Sequence, residues 1–152
     1  MLAFKERGRG GLVGVLGAAL AEAVLEVTGG PRSISVVPVP SRRAARRQRG
    51  HDPTVGLAAS TARVLRRRGT VALFAPLLSQ VRVVRDQTGL SAAERRANLA
   101  GAMRAERLGA LPPAVVLLDD VSTTGATLSE AARALRDAGI VPLGAVVVGR
   151  AT

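Results

Sequence analysis

Short apolar runs alternate with longer segments of helical periodicity along this chain. At 33–39, SISVVPV is rich in β-branched residues and ends in prolines, which predicts a short buried strand. After an arginine-dense loop at 41–53, Val55, Ala58, Ala62 and Leu65 recur at helical spacing. Arg66, Arg67 and Arg68 then precede Gly69, a helix carboxyl end in which cations suit the dipole and glycine takes the left-handed cap. Residues 70–74 read as a second strand, whereas 75–85 carry no decisive period and the following segment reads as loop. Ser91 with Glu94 forms a capping box that starts a short helix to about Leu99. Beyond Pro112 and Pro113, AVVLLD reads as a buried strand ending at Asp119. From about Gly125, Leu128, Ala131, Ala132, Leu135 and Ala138 share a helical face up to Gly139, and LGAVVVG at 143–149 is a last strand. Strands alternating with helices predict an α/β fold with a mainly parallel twisted sheet flanked by helices. The 152 residues suit one domain spanning 1–152.

The first thirty residues admit two readings. Lys5, Arg7 and Arg9 ahead of LVGVLGAALAEAVL resemble the charged and apolar regions of a signal peptide. Against that, Glu22 and Glu26 fall on one helical face while Leu12, Val15, Leu16, Ala19, Ala23 and Val27 share another, the pattern of an amphipathic helix. No stretch is expected to reach the roughly 20 apolar residues that span a bilayer, so a soluble, cytoplasmic protein is expected.

Composition changes the picture in one respect. Apolar residues make up 47% of the chain but only two are aromatic, Phe4 and Phe74, so valine, leucine and alanine must build the core, as in a buried parallel sheet. The net charge is +11, from 22 basic and 11 acidic residues, and every basic residue except Lys5 is arginine. Arginine grips phosphate in bidentate fashion, which points to anionic partners; the arginine bias of a GC-rich genome would produce the same composition. No cysteine is present and His51 is the single histidine, so thiolate zinc sites, disulfides and cysteine nucleophiles are excluded.

The chemistry concentrates in VVLLDDVSTTGAT, residues 115–127. Asp119 and Asp120 are the only adjacent carboxylates and stand where an apolar run ends. In open α/β sheets, ligands bind beyond the carboxyl ends of the strands. A carboxylate pair there can accept hydrogen bonds from the vicinal hydroxyls of a ribose or hold the Mg ion that accompanies a polyphosphate. Ser122, Thr123, Thr124, Gly125, Ala126 and Thr127 then turn into a helix. Small residues let backbone amides approach an anion, glycine tolerates unusual dihedrals, and the helix amino terminus adds positive potential. Diol binding beside phosphate binding amounts to a ribose 5-phosphate site. The plainer alternative is a threonine cap beside a solvated strand end. Glycines 8, 10, 11 and 14 lack the dinucleotide fingerprint's spacing and a preceding strand, and no Walker sequence occurs.

This string resembles the signature for 5-phosphoribosyl-1-pyrophosphate (PRPP) of type I phosphoribosyltransferases: four apolar residues, two acids, then Thr-Thr-Gly-Ala-Thr. VPVPSRRAARRQRGHDP at 37–53 and QTGLSAAERRANLAGAM at 87–103 are similar to the two other hallmark blocks of the competence protein F (ComF) family, and residues 5–9 to its lysine-containing turn. The resemblance spans nearly the whole chain and implies a type I phosphoribosyltransferase-like fold. Relatives carry a four-cysteine zinc module ahead of this point, which this sequence lacks, through its loss in the lineage or because Met1 is not the true start. His51 stands where relatives often have an aromatic residue.

By position, the resemblance implies that Pro40, Ser41 and Arg42 wrap the pyrophosphate, and that residues 81–91 form a lid whose polar contacts are Arg82, Arg85 and Gln87, with Arg85 beside Asp119 and Asp120 at the reacting centre. Arg43, Arg46 and Arg47 face pyrophosphate, nucleic acid or water. The implied activity is Mg-dependent transfer of ribose 5-phosphate from PRPP to a nitrogen acceptor, with no evident general base. Two alternatives keep the PRPP pocket without transfer: a factor in single-stranded DNA uptake during natural competence, which the charge suits and the lack of Trp and Tyr does not, and a PRPP sensor. Acceptor and oligomeric state are not legible in the sequence.

Overall fold

A computed structural model describes residues 2–30, 33–41, 52–107, 109–122 and 124–150. Helix α1, Leu2–Thr28, leads into strand β1, Ile34–Pro38, whose five residues are all buried. Helix α2, Pro53–Arg67, has Asp52 as its amino-terminal cap and proline in its first turn; strand β2, Ala72–Phe74, follows. Two three-residue strands, β3 (Leu78–Gln80) and β4 (Met103–Ala105), bracket helix α3, Ala92–Leu99. Strand β5, Ala114–Ser122, helix α4, Ala126–Asp137, and strand β6, Pro142–Arg150, complete the chain.

The architecture is α/β: a four-stranded parallel sheet in the order β2-β1-β5-β6, flanked by helices, with β3 and β4 forming a separate antiparallel hairpin. Side chains alternate across the sheet. Ile34, Val36, Val116, Leu118 and Val146 pack with α1 and α2, while Val37, Val39, Val115 and Leu117 pack with α4 and the hairpin. The winding steps from β1 to β2 in one direction and then resumes with β5 on the other flank of β1. That reversal leaves a crevice between the carboxyl ends of β1 and β5, where open α/β sheets bind ligands.

Local signals place the elements that were predicted. Ser91 and Glu94 make both capping-box bonds, Glu94 N–H to Ser91 Oγ at 3.3 Å and Ser91 N–H to Glu94 Oε2 at 2.7 Å. At the end of α2, Thr70 N–H reaches Leu65 O at 3.0 Å around Gly69 at φ +83°, a Schellman closure.

Three expectations are corrected. The buried stripe of α1 is Gly17, Leu20, Ala21, Val24 and Thr28, whereas Leu12, Val15 and Val27 are exposed. Apolar residues surround most of this helix, so periodicity gives it little direction; close approach decides instead. A Cβ on Gly17 would lie 2.9 Å from Ser60 Cβ on α2, and one on Gly144 of β6 would lie 2.7 Å from Val27 Cγ1. Second, Gly11–Thr28 does have the length and apolar content to cross a membrane, although it carries Glu22 and Glu26 and seats Leu20, Ala21 and Val24 in the core. Third, β5 does not end at Asp119. Its pairing with β1 ends at Pro38 opposite Leu118, but its pairing with β6 continues through Asp119–Val147 and Val121–Gly149 to Ser122–Arg150. The two aspartates therefore sit where β5 has lost one neighbour and kept the other.

Candidate functional site

The crevice at the winding reversal opens into a cavity of about 380 Å³. Its floor is the end of β5. Asp119 is 7% exposed and its Oδ1 accepts the Asp120 N–H at 2.9 Å; Asp120, half-buried, accepts the Val121 N–H at 2.7 Å. Burial above all, opposed by the bond from the Asp120 N–H and aided by the negative charges of Asp120 and Asp52, raises the Asp119 carboxyl from its ordinary 3.8 to about 7. At neutral pH this group is poised between forms. A cation or several hydroxyl donors would favour the charged one.

One wall is the start of α4. Gly125 holds the cap position at φ +73° with no side-chain capping bond, and nothing lies within 4 Å of where its Cβ would be. The demand for glycine there is conformational rather than steric. Because the first intrahelical bond of the turn is Ser129 N–H to Gly125 O at 2.9 Å, the amides of Thr127 and Leu128 precede the helical ladder. Ser122, Gly125, Ala126 and Thr127 line the cavity. Thr124 does not; it is exposed and its Oγ1 accepts the Ala126 N–H at 3.4 Å. Thr123 lies outside the described residues.

The opposite wall is the loop after β1, where Pro40 and Ser41 line the cavity. Ser41 donates its N–H to Asp52 Oδ2 at 2.9 Å and its hydroxyl to Asp52 Oδ1 at 2.7 Å, and Oδ1 also accepts the Thr54 N–H at 3.1 Å. One carboxylate thus caps α2 and clamps the loop that follows β1. Asp52 was missed as a site residue, although Asp-Pro-Thr ahead of an apolar period is itself a helix-start signal. Arg42, Arg43, Arg46, Arg47 and His51 lie outside the described residues.

The roof comes from residues 78–105. Gln80, Val84, Gln87, Leu99, Ala102 and Met103 face the cavity. Arg82 does not reach it: its guanidinium donates to Asn98 O at 2.8 Å and Ala100 O at 2.6 Å, closing the end of α3. Arg85 is exposed and is not a lining residue; its backbone is held by the Asn98 carboxamide, which accepts its N–H at 3.2 Å and donates to its C=O at 3.0 Å. Of the three expected lid contacts, only Gln87 meets the cavity.

The β3–β4 hairpin under this roof is fixed by an ion pair on α4 that the sequence reading also missed. Glu130, 5% exposed, accepts the Met103 N–H at 3.0 Å, while Arg133 donates to Met103 O at 2.9 Å and to Glu130 Oε1 at 2.7 Å. The two side chains do for Met103 what a neighbouring strand would. Burial alone would raise the Glu130 carboxyl, but the bonds from Arg133 and Met103 hold it below its ordinary range.

Nine of the residues singled out from the sequence therefore share one cavity: Pro40, Ser41, Gln87, Asp119, Asp120, Ser122, Gly125, Ala126 and Thr127. Among the described residues no group of three or more His, Asp or Glu forms a cage for a metal ion. The donor set is two adjacent carboxylates, which suits Mg, an ion bound through one or two carboxylates with the rest of its shell from water and substrate phosphates. No model of a known protein family matches the chain, and no curated protein matches it.

Proposed function

We propose that this cavity binds the ribose 5-phosphate of PRPP and that the chain is an Mg-dependent phosphoribosyltransferase of the type I, ComF-like kind that its motifs resemble. One observation carries the reading: buried Asp119, half-buried Asp120 and the amino terminus of α4, whose cap residue Gly125 makes no side-chain bond, open into the same cavity at the winding reversal. A carboxylate pair suits a vicinal diol, and uncapped amides at a helix start suit a phosphate. Ribose 5-phosphate carries both groups.

In this reading the 5-phosphate lies against the amides of Thr127 and Leu128, which precede the helical ladder, assisted by the Thr127 hydroxyl. Asp119 and Asp120 hold the ribose hydroxyls, directly or through Mg. The pyrophosphate extends toward Pro40 and Ser41, where the arginine-rich residues 42–51 begin. Bound Mg would supply charge neutralisation for the leaving group. The chain's residues position the sugar. In the transfer, the C1–O bond to pyrophosphate breaks with its electron pair leaving on oxygen, a nitrogen lone pair of the acceptor forms the new bond to C1, and the proton lost from that nitrogen passes to pyrophosphate or solvent.

The first test is thermal stability. Magnesium with PRPP should raise the melting temperature, and the double variant Asp119→Asn, Asp120→Asn should abolish the shift; an undiminished shift in that variant would sink the assignment. Transfer is tested separately by pyrophosphate release with a panel of nitrogen acceptors. A second reading, PRPP binding without transfer in sensing or DNA uptake, has a specific observation behind it, since Arg85 stays off the cavity wall. A PRPP-dependent shift with no release across the panel would favour it.

A further inference from the structure

In the reading above, the groups that meet the ribose and its 5-phosphate occupy the β5–α4 side of the cavity; its roof is chemically different. Residues 78–105 include five arginines and two acids, Asp86 and Glu94, yet none of those seven charged residues lines the cavity. What faces inward is Val84, Leu99, Ala102 and Met103, with the carboxamides of Gln80 and Gln87.

Much of the roof's polar capacity is already spent. Met103 gives its N–H to Glu130 and receives Arg133 at its carbonyl. Ala102 donates to Leu99 O at 2.9 Å and accepts the Val81 N–H at 2.9 Å. Gln80 donates its Nε2 to Arg82 O at 3.0 Å. Gln87 is half-buried, and among the described residues no hydrogen bond engages its carboxamide. The side chain left to read a ligand on this side is therefore a neutral one that both donates and accepts. A carboxylate or phosphate carried on the acceptor would lose water there with no cation to replace it, and an ammonium would find no roof carboxylate.

Building on the phosphoribosyltransferase reading, we propose that the acceptor is an uncharged nitrogen heterocycle with an amide-like edge, its faces packed on Val84, Leu99 and Met103 and its edge read by Gln87. The test uses the full chain saturated with magnesium, ribose 5-phosphate and pyrophosphate, which together cannot react. Calorimetric titrations with hypoxanthine, guanine, uracil and nicotinamide are set against orotate, nicotinate and anthranilate; uracil with orotate and nicotinamide with nicotinate are pairs differing by a carboxylate. The tightest ring should be uncharged, and the anion of each pair should bind no better than its neutral partner. Gln87→Ala should weaken the tightest ring roughly fivefold to tenfold, the worth of one hydrogen bond. A carboxylate-bearing ring as the tightest binder overturns the proposal, as does no ring binding while magnesium and PRPP still raise the melting temperature. Failure of PRPP itself to shift stability overturns the reading beneath it instead.

Discussion

Replacing Asp119 with asparagine should make the free protein more stable at neutral pH while removing its response to magnesium and PRPP. The carboxyl is raised from 3.8 to about 7, chiefly by burial, with the negative charges of Asp120 and Asp52 contributing. In the unfolded chain it titrates near 3.8. Between those values the folded chain holds a proton that the unfolded chain has released, so this group's contribution is fully present below about pH 3.8 and is lost as pH rises toward 7. At about 1.4 kcal/mol per unit, the whole interval amounts to on the order of 4 kcal/mol, an upper limit because the carboxyl borders an open cavity.

Asparagine keeps an oxygen to accept the Asp120 N–H and carries no charge to desolvate. For a chain of this size each kcal/mol moves the melting temperature by roughly 2–4 °C, so the variant should melt several degrees above the wild type at about pH 8. The gap should close as pH falls toward about 4. Scanning calorimetry across that range gives both curves, and their difference removes the titration of every other group. With ligand at a hundred times its dissociation constant, the wild type should regain about 2.7 kcal/mol and the variant nothing. Parallel pH curves, or a variant less stable at pH 8, would refute the reasoning, because Asp119 would then be a satisfied carboxylate in the free protein.

Three further outcomes are expected. Gly125→Ala forces a side chain into a left-handed cap at φ +73°; thermal melts should show a loss of about 1–2 kcal/mol, and the PRPP-induced shift should shrink with it as the loop amides re-aim. Glu130→Ala strands the Met103 N–H and removes one of the two carboxylates that Arg133 pairs with, leaving Asp137. It should cost about 2–3 kcal/mol, and hydrogen exchange should show lost protection at Met103 with β1 and β5 unchanged. Labelled single-stranded DNA should bind mainly through charge: the chain has no Trp or Tyr and two phenylalanines, of which Phe74 is partly buried against the core, so anisotropy titrations should show little base preference and a steep loss of affinity with salt. Tight, base-selective binding near physiological salt would revive the nucleic-acid reading.

What the sequence disclosed and what it hid follow from the range of the forces involved. The caps at Ser91 and Gly69 and the strand-then-loop at 115–127 are local, each written within a few residues, and all three appear. The inward face of α1 is not local. It is chosen by Ser60 and by β6, residues far along the chain that leave room only for Gly17 and meet Val27 across Gly144. The β3–β4 hairpin has no period to detect in three-residue strands; it stands because Glu130 and Arg133, an i,i+3 pair that reads as solvated helix surface, close its backbone from outside. The extension of β5 to Ser122 needs β6 as partner, which an apolar run ending at Leu118 does not announce.

The same distinction sorts the site residues. Asp119, Asp120 and Gly125 act where the backbone puts them, so the chain order sufficed. Arg82 and Arg85 were placed in a lid by the family resemblance, but a long side chain can turn either way, and at Arg82 the open carbonyls of Asn98 and Ala100 draw the guanidinium outward. That outward turn leaves a roof of valine, leucine, methionine and glutamine in a protein of net charge +11. Among the described residues charge is kept off the roof and gathered at its base, where the buried carboxyl of Asp119 costs the free fold stability. On the proposed reading, with Mg at the carboxylates, a cavity arranged in this way favours a ligand charged at its sugar-phosphate end and neutral at the other.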